Sequence, residues 1–389
     1  MRDSTKSFTK LYIPIALETL CYMLAGMVDT VMLSTVGDSA VGAVGTANTY
    51  INVFIILFHI VSSGMIAVMT QYIGAKRVGV AYQARQLGAV FNLVLGVLLS
   101  VFLFAFSGNI LDLVGVAPLL QEYAGTYLKI VGGFCFLNAL IPVFSSYLRA
   151  FGYTRQPLIA TLVSNVVNLC LNAVFLFGFH AGVAGVAAAT VISRILNLGI
   201  IIVAAGLLVK AKDDPERLPN KEVFTQIIKV GLPSALETAL YNVAMTLTIR
   251  FLNQMDEAGV NVTARAYAAQ IANFSYCAGA ALAQANAIMT GWRIGEGDYE
   301  ACDKGTKKAV CIGICVAAGL EGIFALSSDY LVGLFTDDPQ MIALVGKLLA
   351  IDIVLEVGRV TNLVFGQALK TSGDALFTTI IGVVFMYLC

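Results

Sequence analysis

The chain has 389 residues, 58% of them hydrophobic and only 12% charged, with a mean hydropathy of +0.84. That balance is far from a water-soluble domain, and apolar runs long enough to cross a bilayer recur throughout, leaving no interval for a soluble catalytic domain. Basic and acidic residues, 24 of each, cancel to zero net charge, so nothing points to nucleic acid.

Cutting the apolar runs at Gly, Pro and charge clusters predicts helices over 10–34, 42–73, 84–107, 121–150, 156–178 and 183–209, then over 223–253, 262–292, 304–327, 340–371 and from 375 to the end. The first run, from Leu11, lacks a small-residue cleavage site and reads as a span, not a signal peptide. The expected class is therefore an all-α polytopic membrane protein with about 11 transmembrane helices. Loops alternate in sign. One set carries Arg2, Lys6 and Lys10, then Lys76, Arg77 and Arg85, Arg149 and Arg155, Lys210, Lys212, Arg217 and Lys221, and Arg293, Lys304, Lys307 and Lys308. The other, around Asp38, Asp112, His180, Asp256 with Glu257, and Asp329 with Asp337 and Asp338, holds no Lys or Arg. The positive-inside rule makes the basic set and the N-terminus cytoplasmic, in the plasma (inner) membrane of a cell. Cys21, Cys135, Cys170, Cys277, Cys311 and Cys315 lie within apolar runs and read as small buried hydrophobes, with no histidine spacing for a metal.

The chain repeats itself. IPIALETLCYMLAGMVDT from Ile13 matches LPSALETALYNVAMTLTI from Leu232, placing Pro14 on Pro233 and Glu18 on Glu237 at an offset of 219. VMTQYIGAKR from Val68 faces IMTGWRIGEG from Ile288, and YLRAFGYTR from Tyr147 faces ALKTSGDAL from Ala368, at offsets of 220 and 221. Three ordered matches at nearly one offset mark a duplicated unit. The first unit holds six spans, so the second starts with the same orientation, and parallel repeats of this kind place substrate sites between halves. The expected organisation is residues 1–209 as an N-terminal lobe, 210–222 as a cytoplasmic linker, and 223–389 as a C-terminal lobe. The last helix is short, and nothing matches the sixth span, so the repeat leads one to expect a twelfth helix that is missing from this chain.

Charges inside spans are costly and face a cavity or a partner. Asp29 has no cation one turn away on its own helix, since Ala25, Gly26, Met32 and Leu33 stand there, and a dry site would suit it to proton binding. Glu18 lies 11 residues earlier, within roughly 20° of the same face and about 16 Å away. Its twin Glu237 leaves a shared architectural role and a coupling role both open. Asp352, Glu356 and Arg359 share one face, where Glu356 with Arg359 suits either an ion pair holding the bundle or a second coupling site. Arg194, Arg250, Lys129 and Lys347 read as bundle or snorkelling residues.

The order of several stretches then resembles a family. VDTVMLSTVGDSAVGAVGTA, IAVMTQYIGAKR, YLRAFGYTRQPL, GVAGVAAATVIS and LKTSGD together are similar to the multidrug and toxic compound extrusion (MATE) transporters, over essentially the whole chain and in a prokaryotic form. The resemblance implies a two-lobed, twelve-helix exporter of organic, often cationic, amphipathic compounds. It works by alternating access driven by inward H+ or Na+, needs no cofactor beyond the coupling ion, and acts as a monomer in the bilayer. It also carries over a cation site to Asp29, Asn168, Asn172 and Thr190, with Asn172 standing where the family branch has an acid. One carboxylate then remains, to bind H+, or Na+ with neutral oxygens from Asn and Thr. Glu18, Glu237, Asp352, Glu356 and Arg359 remain candidates for substrate or a second coupling site.

An alternative within transport is a flippase for lipid-linked precursors, which would want a strongly cationic cavity that the intramembrane acids oppose. An enzyme is not expected. His59 and His180 lack a motif, and no Ser or Cys stands in a nucleophile-elbow context.

Overall fold

The computed structural model describes residues 4–114, 116–210, 214–255 and 259–388; Arg2, Lys212, Asp256 and Glu257 of the loop sets lie outside the described residues. The first half comprises α1 (Ser4–Ser34), α2 (Asp38–Gly74), α3 (Val78–Val114), α4 (Pro118–Tyr127), α5 (Phe136–Ala150), α6 (Arg155–Ala173) and α7 (Gly182–Leu208). The second comprises α8 (Asn220–Met255), α9 (Val260–Glu296), α10 (Tyr299–Leu326), the short α11 (Ser328–Gly333), α12 (Pro339–Ser372) and α13 (Ala375–Leu388). Every expected span is present as helix, and most run several residues beyond it.

Among the described residues, six helices are long and apolar enough to cross a membrane: α1, α2, α3, α6 with its terminal π turn, α7 and α10. The expected fourth span is not one rod. Its two parts, Leu120–Gly132 and Phe136–Ala150, meet at 45° and count as a seventh span if taken together. The break falls at Gly132 and Gly133, which have little helix propensity. A Cβ at either would press on Leu103 or Phe104 of α3, at 3.1 and 3.3 Å. Helices α8, α9 and α12 are as long, at 36, 37 and 34 residues, but less apolar. Glu237 and Arg250, Arg265, and Lys347, Asp352, Glu356 and Arg359 interrupt them.

Large apolar side chains stay exposed along the outer faces of α3 and α7, such as Val90, Val94, Leu98, Val101, Val203 and Leu207. A soluble protein would bury such stripes; here lipid is their solvent. The same reasoning corrects the reading of the cysteines. Cys135 is buried, but Cys170, Cys311 and Cys315 are exposed, because a thiol on a lipid-facing helix surface needs no protein cover.

Among the described residues, the contacts between the halves gather toward the basic end and reach mid-span, where Cys277 of α9 meets Met23 of α1. Near the basic loops, Gly64 of α2 and Gly231 of α8 let two backbones touch: a Cβ on Gly231 would lie 1.7 Å from the Ile60 carbonyl oxygen. At this end Trp292 Nε1 of α9 donates to the Ala150 carbonyl at 2.8 Å, the Tyr72 hydroxyl donates to Gln226 Oε1 at 3.0 Å, and the Gln71 amide donates to the Thr371 carbonyl. Toward the acidic loops the helices lose cover, with Val31, Val53, Val243 and Phe251 all at least half exposed. The cross-half contacts named above thus lie toward the basic end, and the acidic end is the less covered one.

Residues 214–220 connect the halves and are pinned to the α2–α3 turn. Asp214 accepts from the backbone N–H groups of Gly79 and Glu216, at 2.8 and 3.0 Å. Arg77 pairs with Glu216 at 2.6 Å, and the Gln83 amide donates to the Leu218 carbonyl and Asn220 Oδ1, each at 2.6 Å.

Candidate functional site

Asp29 sits near the end of α1 that faces the acidic loops, half-buried rather than in the dry site expected of it. Its Oδ1 accepts from Asn172 Nδ2 of α6 at 2.7 Å. The same amide reaches Asn168 Oδ1 at 3.2 Å, and Asn168 Nδ2 donates to Ser193 Oγ of α7 at 3.4 Å. Asn168 and Asn172 stand one helical turn apart on α6, so the chain of amides follows from their spacing. Thr190 is buried on α7, where its hydroxyl donates to the Val186 carbonyl at 2.9 Å. The buried Tyr127 of α4 stands in side-chain hydrogen-bonding range of Asn48 and Thr190, within the electrostatic reach of Asp29. Hydrogen bonds thus link Asp29, Asn172 and Asn168, while Thr190 on the neighbouring α7 meets the group through Tyr127.

Two details were not legible from the residues alone. Asp29 lacks a cation on its own helix, and Arg194 of α7, read as a bundle or snorkelling residue, lies within its electrostatic reach. In addition, each of the two π turns directly follows a site residue or its helical neighbour: Leu128–Gly132 follows Tyr127, and Val174–Gly178 comes two residues after Asn172. Such widened turns free carbonyls and re-aim side chains, and they recur at functional sites.

The residues fit a small hard cation. With Nδ2 of Asn172 committed to two acceptors, its Oδ1 is left buried with no hydrogen-bond partner. That oxygen, the Asp29 carboxylate and the Thr190 hydroxyl are an all-oxygen set, as Na+ or a hydrated proton requires.

Glu18 and Glu237 occupy a different arrangement. Glu18 pairs with Arg149 of α5 at 2.7 Å, and Arg149 also donates across the halves to Gln284 at 3.0 Å. Glu237 pairs with Lys370 of α12 at 2.9 Å. Arg149 and Lys370 are themselves related by the repeat offset of 221, so the duplication preserves an ion pair rather than a lone acid. Both glutamates are occupied by a cation in this conformation.

In the second half, Arg359 pairs with Glu356, as their spacing allows, and its guanidinium also lies 5.8 Å from the Tyr276 ring centroid. Asp352 is half-buried beside them. An acid passed over in the sequence, Glu321 of α10, is fully buried against this group. Its signal was available, since it is the one acid in the apolar run from Ala309 to Ser328.

The comparisons with known proteins agree with this architecture. The MatE family model matches residues 14–174 and 233–389. Its two copies begin at Pro14 and Pro233, the offset of 219 found within the sequence. The chain belongs to the MATE family of membrane transporters and is not an enzyme. It is similar to YisQ, an uncharacterized transporter of Bacillus subtilis (strain 168), at 30% identity over 391 residues, covering 99% of this chain and 86% of that one. It is also similar to the probable multidrug resistance protein NorM of Thermotoga maritima (strain ATCC 43589), at 28% identity over 87% of this chain and 73% of the relative. Among solved structures, the outward-facing conformation of a multidrug resistance MATE family transporter of the MOP superfamily superposes with a TM-score of 0.88 at 21% identity, covering 98% of this chain and 85% of that one.

Proposed function

We propose that the chain is a cation-coupled antiporter that exports organic, amphipathic, often cationic compounds, with Asp29, Asn168, Asn172 and Thr190 holding the coupling H+ or Na+. The observation that carries this reading is the buried, unpartnered Asn172 Oδ1 beside an Asp29 carboxylate that Asn172 itself orients. The basic loops face the cytoplasm of the plasma membrane, together with the N-terminus, as the positive-inside rule requires. The conformation described above is then open to the outside, where the driving ion enters. A cation bound at Asp29 stabilises one state over the other only by its difference in affinity for the two, and that difference is what drives release of substrate. The lobes 1–209 and 223–389 rock as units about the linker 210–222, and a single copy suffices because each chain carries both halves of the cleft. In this reading Glu18 and Glu237 brace each lobe through their ion pairs, while Asp352, Glu356 and Arg359 line a second group that senses substrate or ion.

Reconstituted protein with an imposed H+ or Na+ gradient tests it. Asp29→Asn should abolish gradient-driven efflux of a cationic dye while leaving dye binding measurable. Efflux that survives Asp29→Asn at the wild-type rate would remove Asp29 from coupling.

A further inference from the structure

Helices α9, α10 and α12 meet at Val360, whose methyl groups fill the space a Cβ would need at Gly279 and Gly313, at 2.7 and 2.5 Å. Toward the acidic end from that contact, one turn along α9 and α12 and two along α10, stand Ser275, Glu356 and Glu321. All three are buried, with 1%, 0% and 0% exposure. Glu321 has no hydrogen-bond partner on either carboxyl oxygen, Glu356 none on Oε2, and Ser275 none on Oγ. Three helices therefore bring four buried oxygens to one wedge, with the Ser275 hydroxyl in hydrogen-bonding reach of Glu321.

The charged and titratable groups around Glu321 come from α12, namely Asp352, Glu356 and Arg359, with the Ser275 hydroxyl from α9. Tyr276 of α9 lies beside Glu356 and Arg359 rather than Glu321. Asp329 of α11 is exposed. Arg359 is committed to Glu356. Among the described residues no cation bonds to Glu321, and an isolated carboxylate sealed from water neutralises rather than staying charged.

We propose that Glu321 is a proton-binding site in the second half, separate from the Asp29 group, which holds H+ in this conformation and releases it when the wedge of α9, α10 and α12 loosens. The carboxylic acid donates its proton toward Glu356 Oε2 or Ser275 Oγ. On release, the O–H bond breaks, the proton leaves to water entering beside the part-exposed Arg359, and Arg359 is then shared between two carboxylates. The proposal rests on the coupling reading only for its consequence, a second proton moved with the helices; the proton itself is observable without any substrate.

The experiment is infrared difference spectroscopy of the full chain in lipid nanodiscs between neutral and alkaline pH, with no drug present. Wild type should show a protonated-carboxyl carbonyl band that is lost in Glu321→Gln and retained in Glu356→Gln. Glu321→Leu guards against misfolding: an apolar residue in place of a neutral acid should leave thermal stability at or above wild type. An unchanged band in Glu321→Gln overturns the assignment. So does a band that Na+, but not choline, erases at constant pH, because a metal-bound carboxylate is ionised. Because the dye-efflux test of Asp29→Asn is independent, loss of coupling there leaves this result standing, and the reverse holds too.

Discussion

Asp29 is held by an amide, Asn172, where the resemblance leads one to expect an acid, and in the proposed coupling site that residue bears on which ion is bound. Asn172 offers a donor to Asp29 at 2.7 Å, which an aspartate could not do without a proton. Asn172→Asp therefore places two carboxylates in contact, and the repulsion is relieved only by a proton or metal ion between them. The expected outcome is efflux that becomes strongly stimulated by Na+, read as the ratio of dye export with and without Na+ at fixed pH; a ratio unchanged from wild type would separate Asn172 from ion choice. The glutamate pairs make a contrasting case. Glu18 and Arg149 are 12% and 15% exposed, so removing one partner strands a buried charge, at a cost of about 3–5 kcal/mol. Glu18→Gln or Arg149→Met alone should lower the unfolding temperature sharply, and the double variant should recover most of the loss. A double variant as unstable as the sum of the singles would mean that the two residues do not act on each other.

At the level of elements, helix positions were readable because spanning length and loop charge are properties of local sequence, and the repeat aligned Glu18 with Glu237 and Arg149 with Lys370 before any contact was known. What remained hidden were partners on other helices. Arg194 and Tyr127 approach Asp29 across α7 and α4, and no periodicity within α1 encodes that. The bend in the fourth span and the two π turns escaped for a related reason: each is a departure from regular helix decided by tertiary contact, as at Gly132 against Leu103. The linker is an element docked in part by one part-exposed acid, Asp214. The Asp214 carboxyl is held below the usual carboxylate range by the backbone N–H groups of Glu216 and Gly79. A depressed folded value means its contribution is fully present above the ordinary carboxylate range and is lost as pH falls through the depressed value. A spin label at Lys221 should accordingly stay immobile at neutral pH and loosen only in strong acid. In Asp214→Asn it should be mobile at every pH, and an immobile label in that variant would assign the docking to Arg77–Glu216 and Gln83 instead.

For the whole molecule, the decisive feature is that the contacts between the halves gather toward the basic end and depend there on glycine. Alternating access requires that the closed end part as the open end closes, so residues that make the closed contact set the balance between states. Gly231 is the sharpest of them, because its missing Cβ would stand 1.7 Å from the Ile60 carbonyl oxygen, a backbone atom that cannot swing aside as a side chain would. Gly231→Ala must push α8 from α2, and overpacking of this kind costs about 1–3 kcal/mol. Set against a two-state equilibrium, that shifts populations by roughly 5- to 150-fold. The cost falls only on the state closed at the basic end, since the contact exists only there, so the variant should favour the opposite state without unfolding either half. Labels at Lys76 and Asp298, both exposed beside the closed end, should report a longer distance in Gly231→Ala, and dye efflux should fall with it. Gly206→Ala, where nothing stands within 4 Å, should change neither. If the label distance in Gly231→Ala matches wild type while efflux falls, the glycine contact is needed for packing and not for the balance between states.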